Sequence, residues 1–268
     1  STLVNALLKD DYLKRGAGVV TSIVTRVRRG QKLQARLFFK SWDEVNIEIE
    51  QALVLFPSRD WREDHGQFDI RRSKDRTALL GALAALDVDV HVANDSLNAN
   101  SVLLSAYLKG FDAVEKLVGA EHSTEAFEGD RFGEHRGFVG EDKLAVYLKD
   151  VQLDITGGAL DATIEMADCQ GSDSPNPLHM AMIQDYLLKA HLIVYVISSR
   201  TGLRQADIRF LSIIKQMGIA DNILFVCNCD INEHDSLSDL LALVQKIREE
   251  LSFVLAGADL FVFSALYH

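Results

Sequence analysis

The chain contains a D-x-x-G turn, Asp168 to Gly171, directly after the strand-like run Ala162 to Ala167. A carboxylate at the end of a buried strand can hold a water molecule of a magnesium ion's shell. A glycine has no Cβ, so its backbone N–H can approach a phosphate oxygen closely. The turn therefore predicts that Asp168 acts on a metal through water and that Gly171 acts at a terminal phosphate.

The first residues of the chain, Ser1-Thr2-Leu3-Val4-Asn5-Ala6-Leu7-Leu8, match the end of a G-x-x-x-x-G-K-[ST] loop and the helix that follows it. In that motif the hydroxyl ligates magnesium and the loop amides and Lys hold the phosphates. Ser1 is then a metal ligand and Thr2 lies near the α-phosphate. The glycines and the Lys are absent, so we expect that the chain is cut inside this loop. The alternative is an N-cap on a Leu-rich helix.

A threonine in a loop can close over a terminal phosphate and ligate the same metal. Thr21 follows the glycine-containing stretch Gly16 to Val20 and is predicted to do both. Thr25 is a rival for this role. Either residue can instead be an ordinary strand threonine.

Two further motifs follow apolar strands near the end of the chain. Asp230 ends the segment Cys227-Asn228-Cys229-Asp230, and its carboxylate can accept the two hydrogen bonds that guanine offers and adenine does not. Asn228 replaces the Lys of the usual [NT]-K-x-D pattern. The alternative is that Asp230 caps a turn. Ser264 and Ala265 follow the last strand, where a backbone N–H is predicted to contact the guanine O6.

The pattern of apolar residues predicts the elements that position these motifs. After Asp168, helices and short apolar strands alternate, which is typical of a doubly wound, mostly parallel α/β sheet that binds ligands at its carboxyl edge. Before Asp168, two strands around Gly30 predict an antiparallel pair, and Ser41 with Glu44 predicts a capping box. The glycine-rich, charged composition of residues 121–140 predicts a mobile segment. The predicted later elements are strands 192–197, 223–226 and 260–263 and helices 178–190, 203–217 and 237–251.

Composition limits the classes of partner. The net charge of −11 argues against general nucleic-acid binding. Three cysteines without framework spacing suit a reducing, cytoplasmic compartment, and a metal site built from them is a weaker interpretation than small buried thiols. No apolar run reaches the length of a membrane span. The basic residues Arg26, Arg28, Arg29, Lys32 and Arg36 predict a solvated strand face, with lipid or nucleic-acid binding as the alternative.

In order along the chain, these motifs resemble the dynamin-like large GTPases, in a bacterial version. The resemblance rests on S-T-L-V-N-A-L-L, R-G-A-G-V-V-T-S-I-V, D-C-Q-G, C-N-C-D and the final S-A. It implies one P-loop NTPase-like GTPase domain over residues 1–268, with a mostly helical insert at about 57–142. It implies GTP or GDP with Mg²⁺, a monovalent cation in hydrolysis, a homodimer formed across the nucleotide face, and peripheral membrane association through regions outside this chain.

The alternative function is a degenerate, non-hydrolysing GTPase fold that serves protein–protein contact. The departure at Asn228 favours it, and so does Ser172, which follows Gly171 where many small GTPases carry a Gln. A third interpretation is a P-loop enzyme that uses ATP. Even in the GTPase interpretation, we expect this truncated chain to be inactive.

Overall fold

The computed structural model describes residues 1–13, 23–54, 67–89, 95–158, 160–169, 183–184 and 186–265. These residues form two compact units. The parallel-sheet unit contains Ser1–Tyr12 and the described residues from 183 onward. The mixed-sheet unit contains the described residues from 13 to 169. The assignment of 1–268 to one domain stays a prediction.

Helices and strands alternate through much of the described chain, which confirms the mixed α/β class. The helices are α1 (Thr2–Leu8), α2 (Trp42–Leu53), α3 (Ser73–Asp89), α4 (Asp95–Val114), α5 (His135–Gly140), α6 (Asp142–Ala145), α7 (Gln205–Gln216) and α8 (Leu237–Val254). The strands are β1 (Thr25–Arg29), β2 (Gln34–Phe39), β3 (Thr124–Glu128), β4 (Leu148–Ile155), β5 (Glu165–Asp168), β6 (Ile193–Ser198), β7 (Ile223–Asn228) and β8 (Leu260–Phe263).

The parallel-sheet unit confirms the predicted parallel strands. Strand β7 lies between β6 and β8, and both pairings are parallel. Helix α8 buries residues at helical spacing, and the hydroxyl of Ser236 caps its start by accepting from the N–H of Asp239 (3.1 Å). One apolar cluster joins the sheet to α7 and α8. Its members include Ile193, Ile197, Phe210, Ile214, Phe225, Leu240, Val244, Ile247 and Leu251.

The mixed-sheet unit corrects one prediction. Its strand order is β3-β2-β4-β1-β5, so β1 and β2 are not a hairpin and β4 lies between them. Strand β4 pairs parallel with β1 and antiparallel with β2. The connection passes the end of β4 at Gly30, whose N–H donates to the Ile155 carbonyl (2.9 Å). A Cβ at Gly30 would collide with Asp154, so the glycine permits this crossing rather than a hairpin turn.

The two faces of the five-stranded sheet have opposite character because side chains alternate along each strand. Val27, Ala35, Leu37, Val151 and Leu153 are fully buried on one face. The other face carries charges that pair across strands. The pairs are Arg26 with Asp150 (2.5 Å), and Asp154 with both Arg28 (2.7 Å) and Arg36 (2.5 Å). These arginines are therefore matched by neighbouring carboxylates and do not form an unbalanced basic surface.

The helix after β2 begins as predicted. The Ser41 hydroxyl accepts from the N–H of Glu44 (3.3 Å), and a Glu44 carboxylate oxygen accepts from the N–H of Ser41 (2.9 Å). The prediction for 121–140 is wrong, because β3, a 3₁₀ turn and α5 occupy this segment. The rest of the predicted helical insert contains α3 and α4 in its described part. Among the described residues, no helix is both long and apolar enough to cross a membrane.

Gly110 lies where α4 passes the backbone of α6. A Cβ on this glycine would lie inside the contact radius of the Lys143 carbonyl oxygen, which is backbone and cannot rotate away. We expect Gly110→Ala to lower the free energy of unfolding by about 2 kcal/mol or more. The control is Gly81→Ala in α3, where a Cβ meets no atom within 4 Å; it should raise stability by about 0.5–1 kcal/mol. Equal effects of the two changes in urea unfolding would contradict this packing.

Glu44 generates a prediction about acid stability. Partial burial raises the pKa of its carboxyl group, but bonds from Lys149, from the N–H of Ser41 and from His122 outweigh this and lower the pKa to about 2. A lowered pKa stabilises the fold above the ordinary value of 4.5, and the contribution is lost as the pH falls from there to about 2. Glu44→Gln should cost about 1 kcal/mol at pH 7, allowing for solvent screening.

That cost should be much smaller at pH 3, since the wild-type carboxylate is then losing its own contribution. Urea unfolding at both values measures the difference. Glu121→Gln, at the exposed position that precedes His122 in the sequence, is the control and should change stability little at either pH. A Glu44→Gln cost that does not depend on pH would contradict the assignment.

Candidate functional site

The candidate site is assembled at the carboxyl edge of the three-stranded sheet. Because β6, β7 and β8 are parallel, their carboxyl ends lie at the same edge. Ser198 pairs with Asn228, and Asn228 pairs with Phe263. The residues that follow these three strands therefore emerge side by side, and they include Ser199, Asp230 and Ser264.

Asp230 lies in the loop after β7, at the start of a 3₁₀ turn (Ile231–Glu233). Its Oδ1 accepts from the N–H of Asn232 (3.0 Å), which is the turn-capping alternative drawn from the sequence. Its own N–H donates to the hydroxyl of Ser199 (3.2 Å). An ionised carboxylate has about four acceptor positions on two oxygens. Capping the turn therefore leaves capacity for further donors.

Asn228 joins two of the loops. Its side-chain Oδ1 accepts from the N–H of Ala265 (3.0 Å). The next residue, Cys229, donates its N–H to the Phe263 carbonyl (2.7 Å). Sequence reasoning treated Asn228 only as a departure from Lys and missed this role. The available signal was a short amide side chain at the end of a buried strand, where it can satisfy a neighbouring loop.

The loop after β8 carries two predicted site residues, Ser264 and Ala265, whose hydrogen bonding differs. The N–H of Ala265, which the sequence assigns to guanine O6, is already donated to Asn228. Contact of that N–H with a base therefore requires sharing or exchanging this bond. The hydroxyl of Ser264 is buried and has no hydrogen-bond partner within the part of the chain that the structure describes. A buried polar atom without a partner is costly, and such an atom often marks a site completed by another group.

The cysteines near this edge are arranged as a thiol pair. The Sγ atoms of Cys227 and Cys229 are 3.6 Å apart, and both residues are buried. Burial, followed by the proximity of Cys229, raises the pKa of Cys227 to about 12. In the mixed-sheet unit, burial, followed by the charge of Asp168, raises the pKa of Cys169 to about 12. Thiols that stay protonated are poor metal ligands, and the described residues contain no group of three or more ligand-type side chains that could hold a metal ion.

Asp168 ends strand β5 in the mixed-sheet unit. It is the direct antiparallel partner of Thr25 in β1, and Thr25 is buried. Thr25 is therefore a strand residue beside the predicted metal-linked aspartate. Its rival Thr21 lies outside the described residues, and so does Gly171. The proximity of Asp168 to Asp230, which belongs to the other unit, stays a prediction.

Ser1 and Thr2 lie at the start of α1. Ser1 occupies the N-cap position, and its carbonyl accepts the first helical hydrogen bond from the N–H of Asn5 (2.9 Å). Its side chain makes no capping hydrogen bond. The residues Ser1–Tyr12 fall in the same compact unit as Asp230 and Ser264. The predicted helix at this position is therefore present, and the metal-binding role of Ser1 stays a prediction.

No family model matches the sequence, and no curated protein matches it. Several solved structures resemble the fold, and two of them have TM-scores of 0.62 and 0.60 at 18% and 17% sequence identity. Both are described as an oligomerised bacterial dynamin pair that provides a mechanism for the long-range sensing and tethering of membranes. The alignments cover 99% of this chain but 31% and 37% of theirs, so this chain spans about a third of their length. At this level of identity the likeness concerns the fold: the chain folds like the corresponding third of bacterial dynamin chains.

Proposed function

We propose that this chain is the GTP-binding and GTP-hydrolysing domain of a dynamin-like protein. The observation that carries the proposal is the group of Asn228, Asp230 and Ser264 at one edge of a parallel sheet, in a fold similar to bacterial dynamins. Parallel α/β sheets bind ligands at this edge. Two of the sequence motifs, Cys227 to Asp230 and Ser264-Ala265, lie at this edge and support the proposal.

The residues at this edge fit a guanine base. Guanine presents two neighbouring donors, N1–H and the 2-amino group, and the Asp230 carboxylate is an acceptor on both oxygens. Guanine also presents O6, an acceptor to which the Ser264 hydroxyl can donate and to which the Ala265 N–H can donate by sharing or exchanging its bond with Asn228. The orphaned Ser264 hydroxyl and the spare acceptor capacity of Asp230 both support a polar ligand.

The phosphate and metal roles rest on the sequence motifs. Ser1 and Thr21 would ligate Mg²⁺, Asp168 would orient one of its waters, Thr2 would contact the α-phosphate, and Gly171 would contact the terminal phosphate. Magnesium bound to phosphates neutralises negative charge that develops during phosphoryl transfer. Loss of the terminal phosphate would release the segments of Thr21 and Gly171, and this would rearrange a homodimer formed across the nucleotide face.

A second candidate function is a non-hydrolysing fold used for protein contact. Two observations favour it: Oδ1 of Asp230 already caps a turn, and the N–H of Ala265 is already bonded. Calorimetry with GTP, GDP and ATP separates the candidates, using a version of the protein that carries a complete phosphate-binding loop. Absence of binding would support protein contact. Tighter binding of ATP than GTP, unchanged by Asp230→Ala, would instead indicate an ATP-using enzyme.

The base-selecting role of Asp230 predicts a swap of specificity. In Asp230→Asn, the amide NH₂ can no longer accept from the guanine amine, but it can donate to the carbonyl that xanthine carries at the same position. We expect guanine nucleotides to bind at least about tenfold more weakly and xanthine nucleotides to bind more tightly. Asp259→Asn, at an exposed position just before β8, is the matched control and should leave both affinities unchanged. Equal GDP affinity in the wild type and Asp230→Asn would contradict the role.

Turnover tests the activity itself. The version with a complete phosphate-binding loop should hydrolyse GTP only when Mg²⁺ is present, and the rate per molecule should rise with protein concentration because the active form is a dimer. Phosphate release at several concentrations measures both effects. Absence of magnesium-dependent turnover at high protein concentration would reject the hydrolytic function. In that case, binding of GTP in the calorimetry would still support a GTP-binding function.

A further inference from the structure

Ser199 occupies an unusual place at the candidate site. It is the first residue after β6, it is 2% exposed, and its backbone N–H donates to the Asn228 carbonyl (3.1 Å), which continues the β6–β7 hydrogen bonding. The turn that begins at Ser198 is also fixed, since the N–H of Gly202 donates to the Ser198 carbonyl (2.9 Å). Its hydroxyl is therefore presented from a rigid part of the sheet.

This hydroxyl contacts both ends of the 3₁₀ turn that follows Asp230. The N–H of Asp230 donates to the Ser199 Oγ (3.2 Å), and Nε2 of His234 lies 3.0 Å from the same oxygen. Asp230 and His234 are the two residues that flank the turn. One side chain therefore closes the loop after β7 on the end of β6. An ion pair between Arg200 and Glu233 (2.6 Å) adds a second, more exposed link between the same two loops.

The closed loop determines where the Asp230 carboxylate points. The backbone of Asp230 is held by Ser199, and its Oδ1 is held by the N–H of Asn232. With both fixed, the direction of the carboxylate is set before any ligand binds. A preset acceptor pair discriminates between bases more sharply than a mobile one, because no ordering cost is incurred on binding.

Building on the proposed function, we propose that Ser199 and His234 are positioning residues that set the guanine preference of Asp230. Neither residue needs to touch the nucleotide. Loss of the Ser199 hydroxyl frees the Asp230 N–H and one end of the turn, so the carboxylate loses its alignment. Loss of the His234 imidazole frees the other end. Affinity for features of the nucleotide other than the guanine donor pair is untouched in both cases.

Comparison of GDP with IDP isolates this effect. Hypoxanthine lacks the 2-amino group, so IDP offers Asp230 one hydrogen bond where GDP offers two. In the protein with a complete phosphate-binding loop, we expect the wild type to prefer GDP. Ser199→Ala should reduce the ratio of GDP to IDP affinity about tenfold, and IDP affinity should fall much less than GDP affinity because IDP makes only one of the two bonds. A fall of both affinities together, or an unchanged ratio, would overturn the proposal.

Variants of His234 and a control at Ser212 distinguish positioning of Asp230 from a general loss of structure. His234→Ala should reduce the ratio in the same direction, and His234→Gln should restore most of it, since the Gln amide nitrogen can replace Nε2. Failure of Gln to rescue would count against the positioning role of His234. Ser212→Ala, which removes a hydroxyl bonded to the Ile208 carbonyl within α7 (2.8 Å), is the matched control and should leave the ratio unchanged.

The amide hydrogen exchange of Asp230 separates this proposal from the proposed function. If the wild type shows no preference for GDP over IDP, the guanine function fails, and exchange still decides the positioning claim. In Ser199→Ala the Asp230 amide should exchange at least about tenfold faster, because the hydroxyl that accepts from it is removed. Unchanged exchange would overturn the positioning of Asp230 by Ser199.

Discussion

The parallel alignment of β6, β7 and β8 is the constraint on which the candidate site depends. Apolar side chains from all three strands are buried against α7 and α8, which keeps the strands in register. The register delivers three loops to the same edge, where a hairpin arrangement would send alternate loops to opposite edges. Residues separated by about 30 positions along the chain thus become neighbours, and Ser199, Asp230 and Ser264 are the polar groups that emerge first.

At this edge the loops are fastened to each other mainly by short side chains. Asn228 ties the β7 loop to the β8 loop, and Ser199 ties the β6 loop to the β7 loop. Such bonds satisfy backbone groups that irregular loops would otherwise leave without partners. A Lys at position 228 would have no acceptor for the N–H of Ala265, whereas the amide oxygen of Asn228 accepts from it.

Local patterns in the sequence predicted local structure well. The capping box of Ser41 and Glu44 and the strand Leu260–Phe263 depend on residues that are close in sequence. The prediction that β1 pairs with β2 was wrong for the opposite reason. Strand β4, which lies between them, is more than 100 residues away in sequence, and no residue near Gly30 indicates its position. The prediction of a mobile segment at 121–140 was wrong because it rested on local composition, whereas these residues form β3 and α5.

For the candidate site, the sequence predicted which residues follow the strands but not the bonds between their loops. The apolar runs indicated the ends of β7 and β8, and Asp230 and Ser264 lie just after those ends. The partners of their loops were not predicted, because Ser199, Asn228 and His234 act through contacts between separate strands. Asp168 and Asp230 belong to different units, and their proximity stays a prediction.

The most direct test is a crystal structure of the protein with a complete phosphate-binding loop, bound to Mg²⁺ and a non-hydrolysable GTP analogue. We expect the guanine edge within hydrogen-bond distance of the Asp230 carboxylate, with the metal-bound phosphates beside Ser1 and Asp168. A nucleotide bound elsewhere, or Asp168 and Asp230 on different sides of the molecule, would contradict it.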